Sequence, residues 1–445
     1  MSASASSPRF RRGAMLLSLL FAAVRVSAEE PVTASTVPYP FGECRIGIWS
    51  GTRNLDDDGA RLKATCLAQW RLPLTESFRA NLSARAGVAD APNLAPGSTE
   101  SSTALRASNT TARLREGYVE FEQGVVRARA GRQIIAWGRA DRINPTDNLS
   151  PRDFTFLSQE DEEQRNGLNA VVIDAKVGAA WSVSGVYVPR FEPHVIPVGL
   201  LPRGVIFAAR PAKPEVALKL DRAGTDIDFS LSYYRGFDRF LRYGLAAPAQ
   251  SGAVLPIIRA SFNRQQTFGA DIAFNVGKFA VRAEVATSRY NSFDASATES
   301  PAPARTINRA VVGIDRTVFD TANLNLQVFS IHRRGYTNAR ALDQPVNVQR
   351  LGDGLTRLNN EYGRGETGAT LRISDRFLNE RLRLELSAIY DFSKRSYLLR
   401  PRLVYSFSDA LRVSAGTDYF HGREQSFFGA RRKNNLAYVE LAWIF

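Results

Sequence analysis

The sequence predicts an all-β chain that closes into a transmembrane, antiparallel, up-and-down β-barrel of about eighteen strands. Three observations predict it: an apolar/polar alternation of period two, an even strand count, and connections that are short on one side and long on the other. The alternation is plainest towards the C-terminus. In Arg381–Tyr390, Leu382, Leu384, Leu386, Ala388 and Tyr390 share one face, and Arg381, Arg383 and Glu385 share the other. Further on, Leu403, Tyr405 and Phe407 oppose Arg400 and Arg402, while Leu411, Val413 and Ala415 face away from Arg412 and Ser414. Strands of this kind suit a wall with lipid on one side and water on the other, and a mean hydropathy of −0.22 is compatible with such a wall.

Strands are expected near 43–50, 61–71, 76–87, 110–122, 125–133, 169–176, 180–188, 214–221, 225–234, 266–276, 279–289, 307–317, 322–332, 361–374, 380–391, 395–407, 410–420 and 434–445. Loss of one weak strand would shift the barrel to about sixteen. Short turns follow every second strand: 73–75, 123–124, 177–179, 222–224, 277–278, 319–321, 375–379 and 408–409. The intervening links are long: 51–60, 88–109, 134–168, 189–213, 235–265, 290–306, 333–360 and 421–433. Only 392–394 is short on that side. Short periplasmic turns and long outer loops are what a barrel inserted from the periplasm shows.

The N-terminus agrees with that route. Arg9, Arg11 and Arg12 precede the apolar run Met15–Val24, and Val26-Ser27-Ala28 offers a small-residue cleavage site, so 1–28 reads as a signal peptide for export through the periplasm. Residues 29–42 then form a short periplasmic segment and 43–445 a single barrel. Loss of the leader lowers the net charge from +14 to about +10, because it carries Arg9, Arg11, Arg12 and Arg25. That balance could suggest nucleic acid, but an exported chain does not meet it. At the other end, Val439, Leu441, Trp443 and Phe445 lie on one face of a final strand. It resembles the closing strand of Gram-negative outer-membrane β-barrels. The resemblance implies the cell outer membrane, contact with its lipid and lipopolysaccharide, and recognition of the strand ending at Phe445 by the barrel-assembly machinery.

Cys44 and Cys66 flank a turn at Asp56-Asp57-Asp58-Gly59. Pairing Ile48 with Leu62 and Ile46 with Ala64 brings the two cysteines opposite each other, so a structural disulfide is expected. A metal at Asp56–Asp58 is the weaker alternative to three solvated acids. No cofactor is expected.

Arginine on the lipid face is expensive at mid-membrane, so Arg127, Arg129, Arg282, Arg372, Arg381, Arg383, Arg400, Arg402 and Arg412 are expected to line the lumen. Acids look sparser there (Glu284, Glu385, Asp418, Glu440). A cationic lining would favour anions; the alternative is that these arginines pair with lumen acids and fill space.

The most distinctive segment runs from Gly131 to Asp153. Gly131-Arg132-Gln133, Trp137-Gly138 and Asn144-Pro145-x-Asp147 resemble a motif shared by a family of proteobacterial outer-membrane barrels. The link it opens, 134–168, is also similar in place to the third loop of general porins, which folds into the pore. By that analogy Arg132, Trp137, Arg139, Asp141, Arg142, Asp147, Arg152 and Asp153 would form a constriction, beside Arg165 and the run Glu160–Glu163. The alternative is a loop packed on the wall with its charges paired internally.

These readings point to a porin-like channel for passive diffusion of small polar, anionic solutes. The alternatives are an export conduit for an anionic exopolysaccharide, which would resemble alginate-type exporters, an importer of hydrophobic substrates, and a gated or plugged binding barrel. A homo-oligomer is compatible with the size. An enzyme is not expected: His194, His332 and His421 fall in or near long outer links, and no spacing marks a nucleophile–base pair.

Overall fold

The computed structural model describes residues 40–51, 61–89, 110–156, 158, 160–196, 205–246, 257–291, 305–319, 321–336 and 346–445. The expected signal peptide, the Asp56–Asp58 turn and most of the 88–109 link lie outside them. In chain order the strands are β1 (Phe41–Gly51), β2 (Arg61–Pro73), β3 (Phe78–Ala89), β4 (Thr110–Gln123), β5 (Val126–Gln133), β6 (Leu168–Val177), β7 (Trp181–Val188), β8 (Val205–Phe207), β9 (Glu215–Arg222), β10 (Ile227–Phe237) and β11 (Arg242–Ala246). They continue as β12 (Ile257–Ser261), β13 (Arg264–Val276), β14 (Phe279–Tyr290), β15 (Thr306–Val318), β16 (Ala322–Arg334), β17 (Gly365–Phe377), β18 (Leu382–Asp391), β19 (Ser396–Ser406), β20 (Leu411–His421) and β21 (Leu436–Ile444).

All but β8, β11 and β12 form one 18-stranded sheet in which each strand pairs antiparallel with its neighbours. β21 returns to β1, with Val439 opposite Ile48 and Leu441 opposite Ile46, and closes the barrel. Closure leaves no sheet edge without a partner, which is what makes a β-structure tolerable in lipid. Every one of the eighteen expected strands has its counterpart. The largest shift is at β17, which starts at Gly365 rather than near 361. Asn360 adopts φ +55 there, and residues 361–364 turn before the strand begins.

The pleat sorts side chains as the alternation requires. Ile48, Leu218, Leu231, Val312, Val328, Leu384 and Val439 point outward and are exposed, while Ser230, Glu284, Gln327 and Ser387 on the inner face are buried. Cys44 and Cys66 are register partners of β1 and β2 and are joined by a disulfide, on the outward face with Ile48 and Leu62.

The outer links hold structure that the sequence reading left as loop. A helix, α1 (Val346–Leu358), lies between β16 and β17. β11 pairs antiparallel with β12, and β12 pairs parallel with β8. Leu355 of α1 packs with Tyr243 and Ala260 of this small sheet. Asn359 exchanges 2.9 and 2.8 Å hydrogen bonds with the Tyr243 backbone, and Arg242 pairs with Glu361 at 2.6 Å. The β20–β21 link joins the same assembly through Arg431–Asn360 (3.1 Å) and Arg357–Glu424 (3.5 Å).

Candidate functional site

The site begins where β5 ends. Gly131, two residues before that end, takes φ +129, and a Cβ there would lie 2.4 Å from the Gly117 carbonyl, so the position is closed to other residues. The next residues turn inward. Gln133 is fully buried, its amide donating to the Ala170 carbonyl at 3.1 Å, and the Ile135 N–H donates to Ser150 Oγ at 2.7 Å. Ile135, Trp137 and Leu149 then pack on an apolar patch of the inner wall made by Leu168, Ala170 and Val172 of β6, Val186 and Val188 of β7, Ala217 and Tyr234. This patch is the root of the loop.

The tip projects from it. Gly138 adopts φ +93, and a Cβ would sit 2.1 Å from Asn144 Oδ1; Asn144 Nδ2 in turn donates to the Trp137 carbonyl at 2.8 Å. Trp-Gly and Asn-Pro are therefore two halves of one bend. The bend delivers Arg139 to Asp221 on β9 (2.8 Å) and to Asp271 on β13, with its backbone N–H on Glu284 of β14. The Gln327 amide of β16, oriented to pair, meets the backbone of Asp141 at 2.9 and 2.8 Å. Arg142 donates to Ser387 Oγ of β18 at 2.9 Å.

The returning half engages the rest of the circumference. Glu160 pairs with Arg402 and Asp161 with Arg400 (3.4 Å), both on β19. Glu163 pairs with Arg45 of β1 at 2.5 Å, and its carbonyl accepts from Arg85 of β3 at 2.8 Å. Arg115 of β4 donates to the carbonyls of Arg165 and Glu162 at 3.2 and 3.1 Å. One link thus touches strands from β9 round to β4 and crosses the lumen. Asp147 holds its two halves together, accepting from Arg152 at 3.2 Å and from Arg165, with both Asp147 and Arg165 only 5% exposed at the side chain.

A family model described as "Protein of unknown function (DUF1302)" matches residues 59–309, which is more than half of the chain. The chain belongs to the DUF1302 family. No curated protein matches the sequence. Among solved structures, Pseudomonas aeruginosa OccK2 (OpdF), solved in complex with glucuronate, is similar at 10% identity and a TM-score of 0.55, with 91% of this chain and 96% of that one covered. Acinetobacter baumannii OccAB2 (9%, 0.54, covering 93% and 99%) and P. aeruginosa OccK9 (OpdG; 11%, 0.54, covering 91% and 97%) are similar too. At such identities the likeness is one of fold: an outer-membrane porin barrel.

In this DUF1302 barrel the residues of the 131–153 motif divide between the loop tip, the loop interior and the wall. Arg139, Asp141 and Arg142 lie together at the loop tip, whereas Asp147 and Arg152 brace the loop itself and Asp153 ties it to the wall by a 2.9 Å pair with Arg113 of β4. Two corrections concern the constriction. Trp137 is 8% exposed inside the root cluster, so it anchors the loop and presents no surface to the pore. Arg132 has the parity of outward Ala128 and Ala130 and pairs with Glu192 at 2.9 Å, which places it at the rim.

The lumen arginines are mostly matched by carboxylates: Arg127 by Glu122 (3.5 Å), Arg129 by Asp174 (3.3 Å), Arg282 by Asp315 (3.3 Å), Arg372 and Arg383 by Glu385, Arg400 by Asp418 (3.2 Å) and Arg412 by Glu43 (2.6 Å). Inward acids are therefore more numerous than the sequence suggested. Arg381 lies in the exposed turn before β18 rather than on the wall. Further inward cations lie outside that set, among them Arg45, Lys63, Arg85, Arg113, Arg115 and Lys219. Arg85 and Arg115 donate to backbone carbonyls instead of carboxylates, and they face a cavity of about 310 Å³ also lined by Arg45, Phe156 and Glu163. On β3 the alternation with outward Leu82 and Ala84 marks Arg85, whereas on β4 a register shift opposite Ser83 and Ala84 breaks the alternation at Arg115.

The three histidines lie on the outward face or inside a packed outer link. His332 and His421 have outward parity, paired with Asn308 and Tyr397. His194 packs between Phe154 and Phe240, ring centroids 5.4 and 4.4 Å away, and its Nδ1 accepts from the Arg152 N–H at 2.8 Å. Desolvation, helped by Arg239 and Arg152, pushes its pKa from 6.5 down to about 3. The unfolded chain then binds the proton first, so this contribution to stability is complete above the unfolded value and is lost as pH falls towards the folded one. Exchange protection of the Arg152 amide, corrected for the intrinsic rate, is expected to fall between about pH 6.5 and pH 4. A flat profile would contradict the neutral-acceptor role.

Proposed function

We propose that this barrel is an outer-membrane channel for passive diffusion of small anionic solutes, narrowed by the 134–168 loop. One observation carries the reading: the loop crosses the lumen and leaves Arg85 and Arg115 facing a cavity with no carboxylate hydrogen-bonded to either guanidinium. Most other wall arginines are neutralised, so the anion preference rests on this pair rather than on a continuous cationic lining. A guanidinium in a narrow, low-dielectric passage raises the local anion concentration and stays charged at any working pH.

The test is single-channel conductance in a planar bilayer under a salt gradient, with an Arg85→Gln/Arg115→Gln variant beside the wild type. The expected result is an open pore whose reversal potential favours anions, and a shift towards no preference in the variant. Glucuronate and vanillate, the monocarboxylates held by OccK2 and by P. aeruginosa OpdK, are suitable blockers to add. A silent protein, or a cation preference, would overturn the reading. A gated barrel is the second reading, favoured by the ties Arg242–Glu361 and Arg431–Asn360 that link separate outer loops. It predicts silence in the wild type and conductance once those ties are removed.

A further inference from the structure

The outward face of the barrel carries a charged row that the channel does not use. In β10, β13, β14, β15 and β16 the apolar belt is set by Leu231, Phe268, Val285, Val312 and Val328, each 52–54% exposed. Counting in twos towards the loop-side ends gives Arg235, Gln266, Arg289, Thr306 and Arg334 on the same outward face. These five are direct register partners in sequence: Arg235 with Gln266, Gln266 with Arg289, Arg289 with Thr306, and Thr306 with Arg334. The row beneath is Tyr233, Phe268, Thr287, Asn308 and His332, aromatic and polar.

The three arginines are exposed, and none makes an ion pair among the described residues. One strand lies between each and the next, so two inter-strand spacings set them about 10 Å apart. On the outward faces of the described strands, the loop-side halves contain Arg132, Arg235, Arg264, Arg289 and Arg334 and no Asp or Glu. A guanidinium turned towards lipid needs an anion at the interface, and the described strands supply none on that face.

We propose that Arg235, Arg289 and Arg334 form a docking row for the phosphates of a lipid A-type glycolipid in the outer leaflet. The inference rests on the outer-membrane reading, which turns the long links outward. Charge and shape select this occupant. Its phosphates match arginines that have no ion-pair partner among the described residues, its acyl chains lie along the Leu231–Val328 belt, and its sugars meet the Tyr233–His332 row. A second copy of the chain is less suited, because the loop-side outward face it would present carries the same sign.

The experiment compares wild type with Arg235→Gln/Arg289→Gln/Arg334→Gln, each isolated from the outer membrane of a Gram-negative host. Co-purified lipid A is quantified by mass spectrometry. Thermal midpoints are then measured with bisphosphorylated lipid A, dephosphorylated lipid A or inorganic phosphate added. Wild type is expected to retain lipid A and to gain stability only from the phosphorylated lipid. Each arginine removed should weaken binding about fivefold, and the three together on the order of 100-fold. Arg316→Gln, outward but at the turn-side end where Arg316 stacks on Phe279 at 4.7 Å, should change nothing. Should the triple variant fail to fold, Arg289→Gln alone and the triple Lys variant carry the test. Equal retention by wild type and variant would overturn the proposal. So would equal stabilisation by dephosphorylated lipid or by inorganic phosphate, or loss of an oligomer with no change in lipid. Conductance is read from the same samples in phosphatidylcholine bilayers: a silent barrel that still binds lipid A removes the channel and keeps the site.

Discussion

Trp137→Ala is expected to widen the pore while the barrel stays closed. Trp137 is buried in the cluster that fastens the root of the 134–168 loop to β6, β7 and β9. Removing an aromatic side chain from such a site costs about 3–5 kcal/mol. The pairs at the tip are individually weaker and screened by salt, since exposed pairs contribute only about 0.2–1 kcal/mol each. Losing the root should therefore release the whole crossing segment. The eighteen strands have their own ladders and do not depend on it. Single-channel recordings should show a several-fold larger, noisier conductance, with the folded-barrel mobility on an unheated gel retained. Unchanged conductance would mean that the loop does not limit the passage.

Asp147→Asn is expected to destabilise the loop by about 3 kcal/mol, at the lower end of what breaking a buried ion pair costs. The carboxylate serves Arg152 and Arg165 together, and an amide can satisfy neither charge. Arg165 keeps Glu162 at 2.6 Å, which limits the damage. The matched comparison is Arg79→Gln near the turns, where half-exposed Arg79 meets Glu120 and Glu122 at 3.2 Å; it should cost within about 1 kcal/mol. Thermal unfolding in detergent, followed for both variants, reads the difference. Similar midpoints would show that Asp147 is better hydrated than its burial implies.

The two variants also show what was legible in the chain and what was not. Strands are written locally: Leu382-Arg383-Leu384-Glu385-Leu386 can sit in a half-wet wall in only one way. The closing pair β1–β21 and the Cys44–Cys66 register follow from the same period. The motif residues were visible as a motif, but their roles were not. Gly138 matters because Asn144 folds back on it, and Asp147 because two arginines arrive from either side. α1 was missed because Val346-Asn347-Val348-Gln349-Arg350-Leu351-Gly352-Asp353-Gly354 has two glycines and weak helix formers, and the helix depends on packing Leu355 against the small sheet. The inward acids are hard to read because Asp174 and Asp271 stand singly among apolar residues and Asp221 and Asp315 sit beside arginines near strand ends, where each looks incidental until a facing guanidinium is seen. Charge balance across a lumen is a property of closure, and one strand cannot display it.

The reach of the 134–168 loop has a consequence for how the molecule is made. Arg139 meets Asp271 132 residues downstream, Glu160 meets Arg402 242 residues away, and Arg142 meets Ser387 245 away. Partners so distant come into range only after the last strands have joined the sheet, and contacts of large sequence separation form slowly. The order of events is therefore fixed by topology. The root of the loop can pack on β6, β7 and β9 early, whereas its contacts with β18 and β19 are expected to be the last to form. If the barrel is the channel proposed above, a new copy would be wider before those contacts close than after.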